Sequence, residues 1–293
     1  MTDILCIKNI CKQYPEFELK DISLSLPLGY IMGLVGLNGA GKTTLIKAIM
    51  NGVVLQKGDI EVFGLPLHPN EAAIKNRIGY VSDESIFCRE WTCHYTGKVM
   101  RALYDSWDQQ KFDGYLKAWK LNGGKRVKAL SRGQQMQLSL AAALSHETDL
   151  LILDEPTSGL DPYMRTVFVE EFQKYIENET KSVLFSTHIV ADLEKCADFI
   201  TFIHSGHIVF SKRRDDIAED YMIIKGGRDV LTPEVKRELI GCRLYDYGFE
   251  GLMNIANINV LPPSCEATPA GIEEIMVLFH DISIKDSRKE AGR

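Results

Sequence analysis

Hydrophobic and polar positions alternate through the first part of the chain. Apolar side chains recur at Ile4, Cys6 and Ile10 and again along residues 19–26, with Pro15 between the two stretches. Period-two alternation is typical of strands that bury one face. The pattern therefore predicts two antiparallel strands at an edge of the domain, joined by a turn near Pro15.

From Tyr30 onward, short apolar runs are separated by segments with helical periodicity. Alternation of strand and helix favours an α/β fold, in which a mostly parallel sheet carries helices on its faces. The runs that predict strands are residues 30–35, 60–62, 78–81, 150–153, 182–186 and 199–204.

Residues 88–145 show no strand pattern, and their large side chains recur at helical spacing. We therefore predict an α-helical insertion, whose aromatic side chains pack in a core rather than form a platform for stacked bases. The residues that carry this pattern are Trp91, Tyr95, Val99, Leu103, Phe112, Tyr115, Leu116 and Trp119.

A charged stretch at residues 212–220 ends the main domain, which we predict to span residues 1–220. The remainder, residues 221–293, is predicted to be a small α+β accessory region. Its last residues, 285–293, are polar and are predicted to be disordered.

Within the accessory region, the sequence predicts strands at 221–225 and 243–247 and a helix that opens at Thr232. An amphipathic helix is predicted at 269–280. Thr268 suits the N-cap of that helix, and the proline that follows suits its first turn.

Two motifs carry candidate chemistry, and the first is GLNGAGKTT at residues 36–44, which we call the P-loop. Glycines allow backbone N–H groups to surround phosphate oxygens, while Lys42 would meet the β- and γ-phosphates and Thr43 would ligate Mg²⁺. The loop lies between a predicted strand and a helix N-terminus, which favours anions. The predicted nucleotide-binding residues are Gly36, Leu37, Asn38, Gly39, Ala40, Gly41, Lys42, Thr43 and Thr44.

The second motif is LLILDEP at residues 150–156. Its four apolar residues predict a fully buried strand, and Asp154 emerges at the carboxyl end, where ligands of α/β sheets bind. We expect Asp154 to hold Mg²⁺ and Glu155 to act as the general base toward a water molecule. The alternative for Glu155 is a solvated carboxylate at a strand end. Together the two motifs predict that the chain binds and hydrolyses ATP.

Composition and charge argue against general nucleic-acid binding and against a disulfide-stabilised protein. A chain of 293 residues can bury one large core and a small appendage, and a net charge of −6 gives no general attraction to nucleic acid. Seven irregularly spaced cysteines argue against a disulfide framework and favour a reduced, cytoplasmic protein. Cys88, Cys93 and His94 come nearest to a metal-binding cluster, and we interpret them as structural.

The chain shows no hydrophobic segment suited to a membrane. No apolar run approaches the ~18 residues that a bilayer span requires. The N-terminus also lacks the uninterrupted apolar core of a signal peptide. If the protein works at a membrane, another chain must supply the membrane-spanning part.

Three further segments surround the LLILDEP strand. Leu-Ser-Arg-Gly-Gln at residues 130–134, which we call the signature segment, precedes it, while Ser-Gly-Leu-Asp at 158–161 and Ser-Thr-His at 186–188 follow it. With the P-loop, this ordered set resembles the nucleotide-binding domain of ATP-binding cassette (ABC) proteins over residues 3–218. The resemblance implies a P-loop NTPase fold.

The resemblance also implies a composite site. In the family, two such domains pair head to tail, and ATP lies between the P-loop of one and the signature segment of the other. Here Ser131 and Gly133 would contact the γ-phosphate, and His188 would position the attacking water. Tyr14 would stack on adenine, and Asp161 would communicate between sites. The residues that the resemblance adds to the nucleotide site are Tyr14, Ser131, Gly133, Gln134 and Asp161.

The sequence departs from the family pattern at two positions. Arg132 stands where the signature segment usually has glycine, and Asp83 stands where the family has a glutamine that reaches Mg²⁺. A carboxylate accepts hydrogen bonds from metal-bound water but donates none. We therefore include Asp83 among the metal-site residues. We also expect the coupling of ATP hydrolysis to the membrane subunit to differ from that of family members with glutamine.

Within the family, the chain looks most similar to bacterial exporter ATPases for drugs, bacitracin or antimicrobial peptides. Four features carry this finer resemblance: the Tyr-Asp-Ser-Trp-Asp segment at 104–108, Arg132, Asp83, and the tail with its closing amphipathic helix. It implies a second nucleotide-binding domain, identical or different, a separate transmembrane permease, and a place on the cytoplasmic face of the membrane.

Two other functions stay open. A soluble ABC ATPase acting on ribosomes or DNA usually has two cassettes or a long coiled-coil insertion, and this chain has neither. A regulatory cassette would bind ATP without turnover, which the presence of Glu155 and His188 disfavours.

Overall fold

The structure is a computed structural model that describes residues 2–279. The predicted disordered tail, 285–293, lies outside the described residues, as does residue 280 of the predicted closing helix. The described chain divides into two compact units, one ending at Ser211 and one beginning at Lys212. No helix within residues 2–279 combines the length and the apolar character needed to cross a bilayer.

The first unit alternates strands and helices after an initial strand pair, as predicted. Its strands are β1 (Asp3–Gln13), β2 (Glu18–Pro27), β3 (Ile31–Val35), β4 (Lys57–Val62), β5 (Leu65–Pro66), β6 (Ile78–Val81), β7 (Leu150–Leu153), β8 (Ser182–Thr187), β9 (Phe199–His204) and β10 (His207–Arg213), of which the last two residues fall in the second unit. Its helices are α1 (Lys42–Ile49), α2 (Leu67–Asn76), α3 (Cys93–Leu103), α4 (Gln109–Ala118), α5 (Arg132–Leu144), α6 (Pro162–Ile176) and α7 (Val190–Cys196).

An antiparallel sheet forms from the N-terminal strands in the order β2-β1-β4-β5. The predicted strand pair is confirmed, since Ile7 lies opposite Leu24 and a turn closes where Tyr14 N–H donates to Phe17 O at 2.7 Å. The run at 60–62 was predicted to join the parallel sheet, and this was wrong. Ile60 pairs with β1 because β4 buries only alternate side chains, as half-exposed antiparallel strands do.

The central sheet has the order β10-β9-β3-β8-β7-β6. Strands β6, β7, β8, β3 and β9 pair in parallel, which confirms the predicted sheet. Strands β3, β7 and β8 are completely buried. Because parallel strands end at the same edge, the segments that follow Val35, Leu153 and Thr187 emerge side by side.

The helical insertion contains α3, α4 and α5, which confirms the predicted helices, and its core is formed by aromatic and aliphatic side chains. Two residues of the predicted core pattern lie outside this core, since Tyr95 and Leu103 are exposed. Phe112, Leu116 and Leu138 are buried in this core, with Trp91 and Trp119 packed against it. Side chains cap all three helices: Thr92, Asp108 and Ser131 each accept a backbone N–H.

The second unit contains β11 (Tyr221–Gly226), α8 (Pro233–Glu238), β12 (Leu239–Tyr245), β13 (Gly248–Asn254) and β14 (Glu266–Pro269). The four strands form an antiparallel sheet in the order β12-β13-β11-β14. Its small core comprises Ile224, Val235, Cys242, Phe249 and Met253.

The start of the closing helix differs from the prediction. Thr268 and Pro269 belong to β14, where they pair with Ile223 and Met222, and helical structure begins at residue 272. Proline is compatible with an edge strand because it has no N–H to leave unpaired. The segment therefore extends the sheet, and Glu274 caps the helix by accepting the N–H of Gly271 at 2.8 Å.

Candidate nucleotide-binding site

The P-loop connects the end of β3 to the start of α1, and its glycines are required by backbone geometry. Gly41 has φ +113° at the N-cap of α1, a conformation that side chains disfavour. A Cβ on Gly36 would lie 2.3 Å from the carbonyl oxygen of Ile203. Asn38 and Gly39 are exposed at the tip of the loop, where backbone N–H groups are accessible to a ligand.

Lys42 begins α1 and is the buried cation of the site. Only 5% of the residue is exposed, and its Nζ donates to the carbonyl oxygens of Gly36 at 2.7 Å and Leu37 at 3.3 Å. The same Nζ lies 3.2 Å from Glu155 Oε1. The ammonium group is therefore held at the mouth of the P-loop with one carboxylate as its counterion.

Ser186 organises the two acidic residues that follow β7. In the parallel register Leu153 lies beside Phe185, so Ser186 is level with Asp154. Ser186 Oγ donates to Asp154 Oδ1 at 2.6 Å and accepts the N–H of Glu155 at 2.9 Å. Sequence reasoning assigned no role to Ser186, although two hydroxyl residues in succession at the carboxyl end of a buried strand were a usable signal.

Asp154 is almost completely buried, and one of its oxygens has no hydrogen-bond partner. Burial raises the pKa of its carboxyl, while hydrogen bonds from Ser186 and Thr43 lower that pKa and the charges of Glu155 and Asp83 raise it further. The unpartnered atom is Oδ2. A buried anionic oxygen beside a threonine hydroxyl suits a hard divalent cation such as Mg²⁺.

Residues 2–279 contain no cluster of three His, Cys, Asp or Glu residues arranged to hold a metal, and this includes the region of Cys88, Cys93 and His94.

Glu155 binds His188 as well as Lys42. Glu155 Oε2 lies 2.8 Å from His188 Nδ1, and the carboxylate side chain is 12% exposed. Because a carboxylate only accepts, Nδ1 carries the proton in this hydrogen bond. Glu155 has φ +49°, a left-handed backbone conformation that is uncommon for a residue other than glycine.

Tyr14 lies in the turn between β1 and β2 and is 37% exposed. The Nζ of Lys12 lies 5.1 Å from the centroid of its ring, a cation–π contact that orients the ring. A partly exposed, oriented aromatic ring is suited to stacking on a planar base.

The signature segment lies apart from the P-loop cluster. Ser131 caps α5, and Gln134 completes a capping box by accepting the N–H of Ser131 at 3.2 Å. Asp161 caps α6 by accepting the N–H of Met164 at 3.0 Å. Ser131, Gly133, Gln134 and Asp161 line a cavity of about 600 Å³ that Lys42 does not line. One chain thus brings together Lys42, Thr43, Asp154, Glu155 and His188, but not the signature residues.

Asp83 follows β6 and forms an ion pair with Arg132 at the start of α5. Burial is the main cause of the raised pKa of Asp154, and the negative charge of Asp83 adds a smaller contribution in the same direction. The two residues that depart from the family pattern therefore contact each other.

Comparisons with known proteins agree with this geometry. The family model described as ABC transporter matches residues 19–158. The chain is 31% identical to a bacitracin transport ATP-binding protein of Enterococcus faecalis, over 71% of this chain and 69% of the relative. It is also 31% identical to a lantibiotic transport ATP-binding protein of Streptococcus pyogenes, over 72% of this chain and 92% of the relative.

Solved structures share the fold. An ATP-binding subunit of an ABC transporter superposes with a TM-score of 0.67 at 24% identity, covering 74% of this chain and 92% of that chain. A dimeric ATP-binding cassette in a post-hydrolysis state, bound to ADP and Pi, superposes with a TM-score of 0.64 at 20% identity. The match covers 71% of this chain and 98% of that chain. These likenesses confirm the predicted P-loop α/β fold.

Replacing Ser186 tests whether its hydroxyl positions the two carboxylates. We expect Ser186→Ala to reduce ATP turnover by roughly 10–100-fold, as loss of an outer-shell partner does at metal sites. Steady-state ATPase assays provide the measurement. Ser182→Ala is the matched control, because Ser182 is a buried, hydrogen-bonded serine at the opposite end of β8. Equal turnover in the two variants would contradict the role of Ser186.

Proposed function

This chain belongs to the ABC transporter family and is an ATP-hydrolysing transport subunit, and we propose that it powers an exporter through a separate membrane-spanning chain. The observation that carries the proposal is the convergence of Lys42, Glu155 and His188 beside the Asp154–Ser186 pair. Relatives described as bacitracin and lantibiotic transport ATP-binding proteins support the exporter assignment.

Phosphate binding would begin by exchanging the partner of Lys42. Its ammonium is held by Glu155 and two loop carbonyls, and the triphosphate carries more negative charge than one carboxylate. The phosphates would therefore replace Glu155 as the ion-pair partner of Lys42. The P-loop N–H groups and the N-terminus of α1 would bind the remaining phosphate oxygens. This exchange frees Glu155 only when nucleotide is present.

Glu155 is then positioned to accept a proton from the attacking water. His188 keeps the carboxylate oriented through the 2.8 Å contact, so the base stays fixed when Lys42 leaves it. Thr43 and Asp154 would hold Mg²⁺, which offsets phosphate charge when bound, and Asp83 would lie close to it. Catalysis of this kind consists chiefly of positioning and charge neutralisation.

A second cassette, either another copy or a related chain, would complete each site. Ser131 and Gly133 line a cavity separate from the P-loop cluster, so they suit the nucleotide held by a partner. Tyr14 would contact adenine, and Asp161 would lie at the contact between the two cassettes. A chain on its own would then hydrolyse ATP poorly.

The membrane-spanning partner and the cytoplasmic face of the membrane are part of the same proposal. Ribosome or nucleic-acid action is less well supported, because the net charge of −6 opposes binding to phosphate backbones. A purely regulatory cassette is disfavoured by the intact contacts of Glu155 with Lys42 and His188.

Neutralising the base tests the hydrolytic mechanism. We expect Glu155→Gln to abolish turnover and to accumulate as an ATP-bound dimer, since an amide accepts no proton while nucleotide binding is retained. Size-exclusion chromatography with ATP and a phosphate-release assay measure the two effects. Glu177→Gln, at the C-terminus of α6, is the control and should behave as wild type. Hydrolysis by Glu155→Gln at the wild-type rate would exclude Glu155 as the base.

Removing the buried carboxylate tests the metal site. Asp154 has an unpartnered buried oxygen, so we expect Mg²⁺ to strengthen ATP binding in the wild type but not in Asp154→Asn. Calorimetric titration of ATP with and without Mg²⁺ measures this difference. Asp149→Asn is the control, because Asp149 pairs with Arg77 just before β7. An undiminished Mg²⁺ effect in Asp154→Asn would remove Asp154 from the metal site.

A further inference from the structure

Asp83 and Arg132 form an ion pair across two segments that are separate in sequence. Asp83 lies in the loop after β6, and Arg132 is the first residue of α5. Their side chains are 38% and 58% exposed, so water screens the pair. Exposed pairs of this kind change an equilibrium by up to about fivefold, which makes the contact easy to exchange for another.

The stem of Arg132 is supported by the loop that precedes α6. A Cβ on Gly159 would lie 3.5 Å from Arg132 Cδ, and Gly159 has φ +75°, which disfavours any side chain there. The aliphatic part of Arg132 therefore lies close to Gly159. The guanidinium group thus lies next to Ser131 and Gly133 in sequence, with its stem packed and its head group paired to one anion.

A guanidinium group binds carboxylates and phosphates through the same planar pair of N–H donors. In the structure, the Asp83 carboxylate occupies this anion position. Arg132 is flanked by the two residues that, under the proposed function, face the γ-phosphate on the partner cassette. A second anion would therefore come within reach of Arg132 when two cassettes close on ATP.

We propose that Asp83 holds Arg132 in the open state and that Arg132 transfers to the triphosphate bound by the partner cassette when the dimer closes. Arg132 is then a phosphate-binding residue supplied in trans, and Asp83 is its positioning residue. The inference rests on the proposed function, since it requires a head-to-tail dimer. The Asp83–Arg132 pair opposes closure, while the Arg132–phosphate contact favours it.

The two members of the pair should therefore have opposite effects on dimerisation. In the Glu155→Gln background, light scattering measures the ATP concentration that gives half-maximal dimer. Asp83→Gln frees Arg132 and should lower that concentration by up to about fivefold. Arg132→Gln removes both contacts and should raise it, whereas Arg132→Lys keeps the charge without the planar donor pair and should lie between the parent and Arg132→Gln. The double variant Asp83→Gln/Arg132→Gln should require the same ATP concentration for half-maximal dimer as Arg132→Gln alone.

A merely structural ion pair gives a different result, because loss of either partner then shifts dimerisation in the same direction. Arg126→Gln is the matched control: Arg126 is also 58% exposed and pairs with Glu90, away from Asp83. Shifts in the same direction, or no shift in either single variant, would overturn the inference while leaving the proposed function intact. Absence of any ATP-dependent dimer in the Glu155→Gln parent would instead overturn the proposed function.

Discussion

The parallel register of β3, β7 and β8 is the constraint on which the nucleotide site depends. It places the P-loop, Asp154 and His188 at one edge of the central sheet and sets Ser186 level with Asp154. A shift of one residue between β7 and β8 would turn the Ser186 hydroxyl to the opposite face of the sheet. Because all three strands are buried on both faces, such a shift would also force the apolar side chains on both faces to repack, so the core that stabilises the fold also fixes the site.

The nucleotide site brings the negative charges of Asp154 and Glu155 close together, which is unfavourable in free energy. Asp154 is buried with one oxygen unpartnered, and Glu155 adopts a left-handed backbone conformation. Each feature is unfavourable by itself and is tolerated only where the surrounding structure enforces it. Lys42 offsets part of this cost by pairing with Glu155. A metal and a triphosphate would offset the remainder.

Local sequence patterns predicted the parallel sheet, the helical insertion, the P-loop and the Asp154–Glu155 pair, because each depends on periodicity or on neighbouring residues. Features that depend on pairing between distant segments were not predicted. The run at 60–62 joins the antiparallel sheet because β1 is available to it, and Thr268 extends a sheet instead of capping a helix. The contact between Asp83 and Arg132 joins residues 49 positions apart, and no local pattern encodes it.

The central claim is that each chain supplies half of two ATP sites, and mixing two defective variants tests it most directly. Lys42→Ala lacks the P-loop half, whereas Ser131→Ala lacks the signature half. In a mixed dimer, one site combines the intact P-loop of one chain with the intact signature segment of the other. The account predicts that the mixture hydrolyses ATP faster than either variant alone, as measured by phosphate release at equal total protein. Turnover equal to the average of the two separate variants would contradict it.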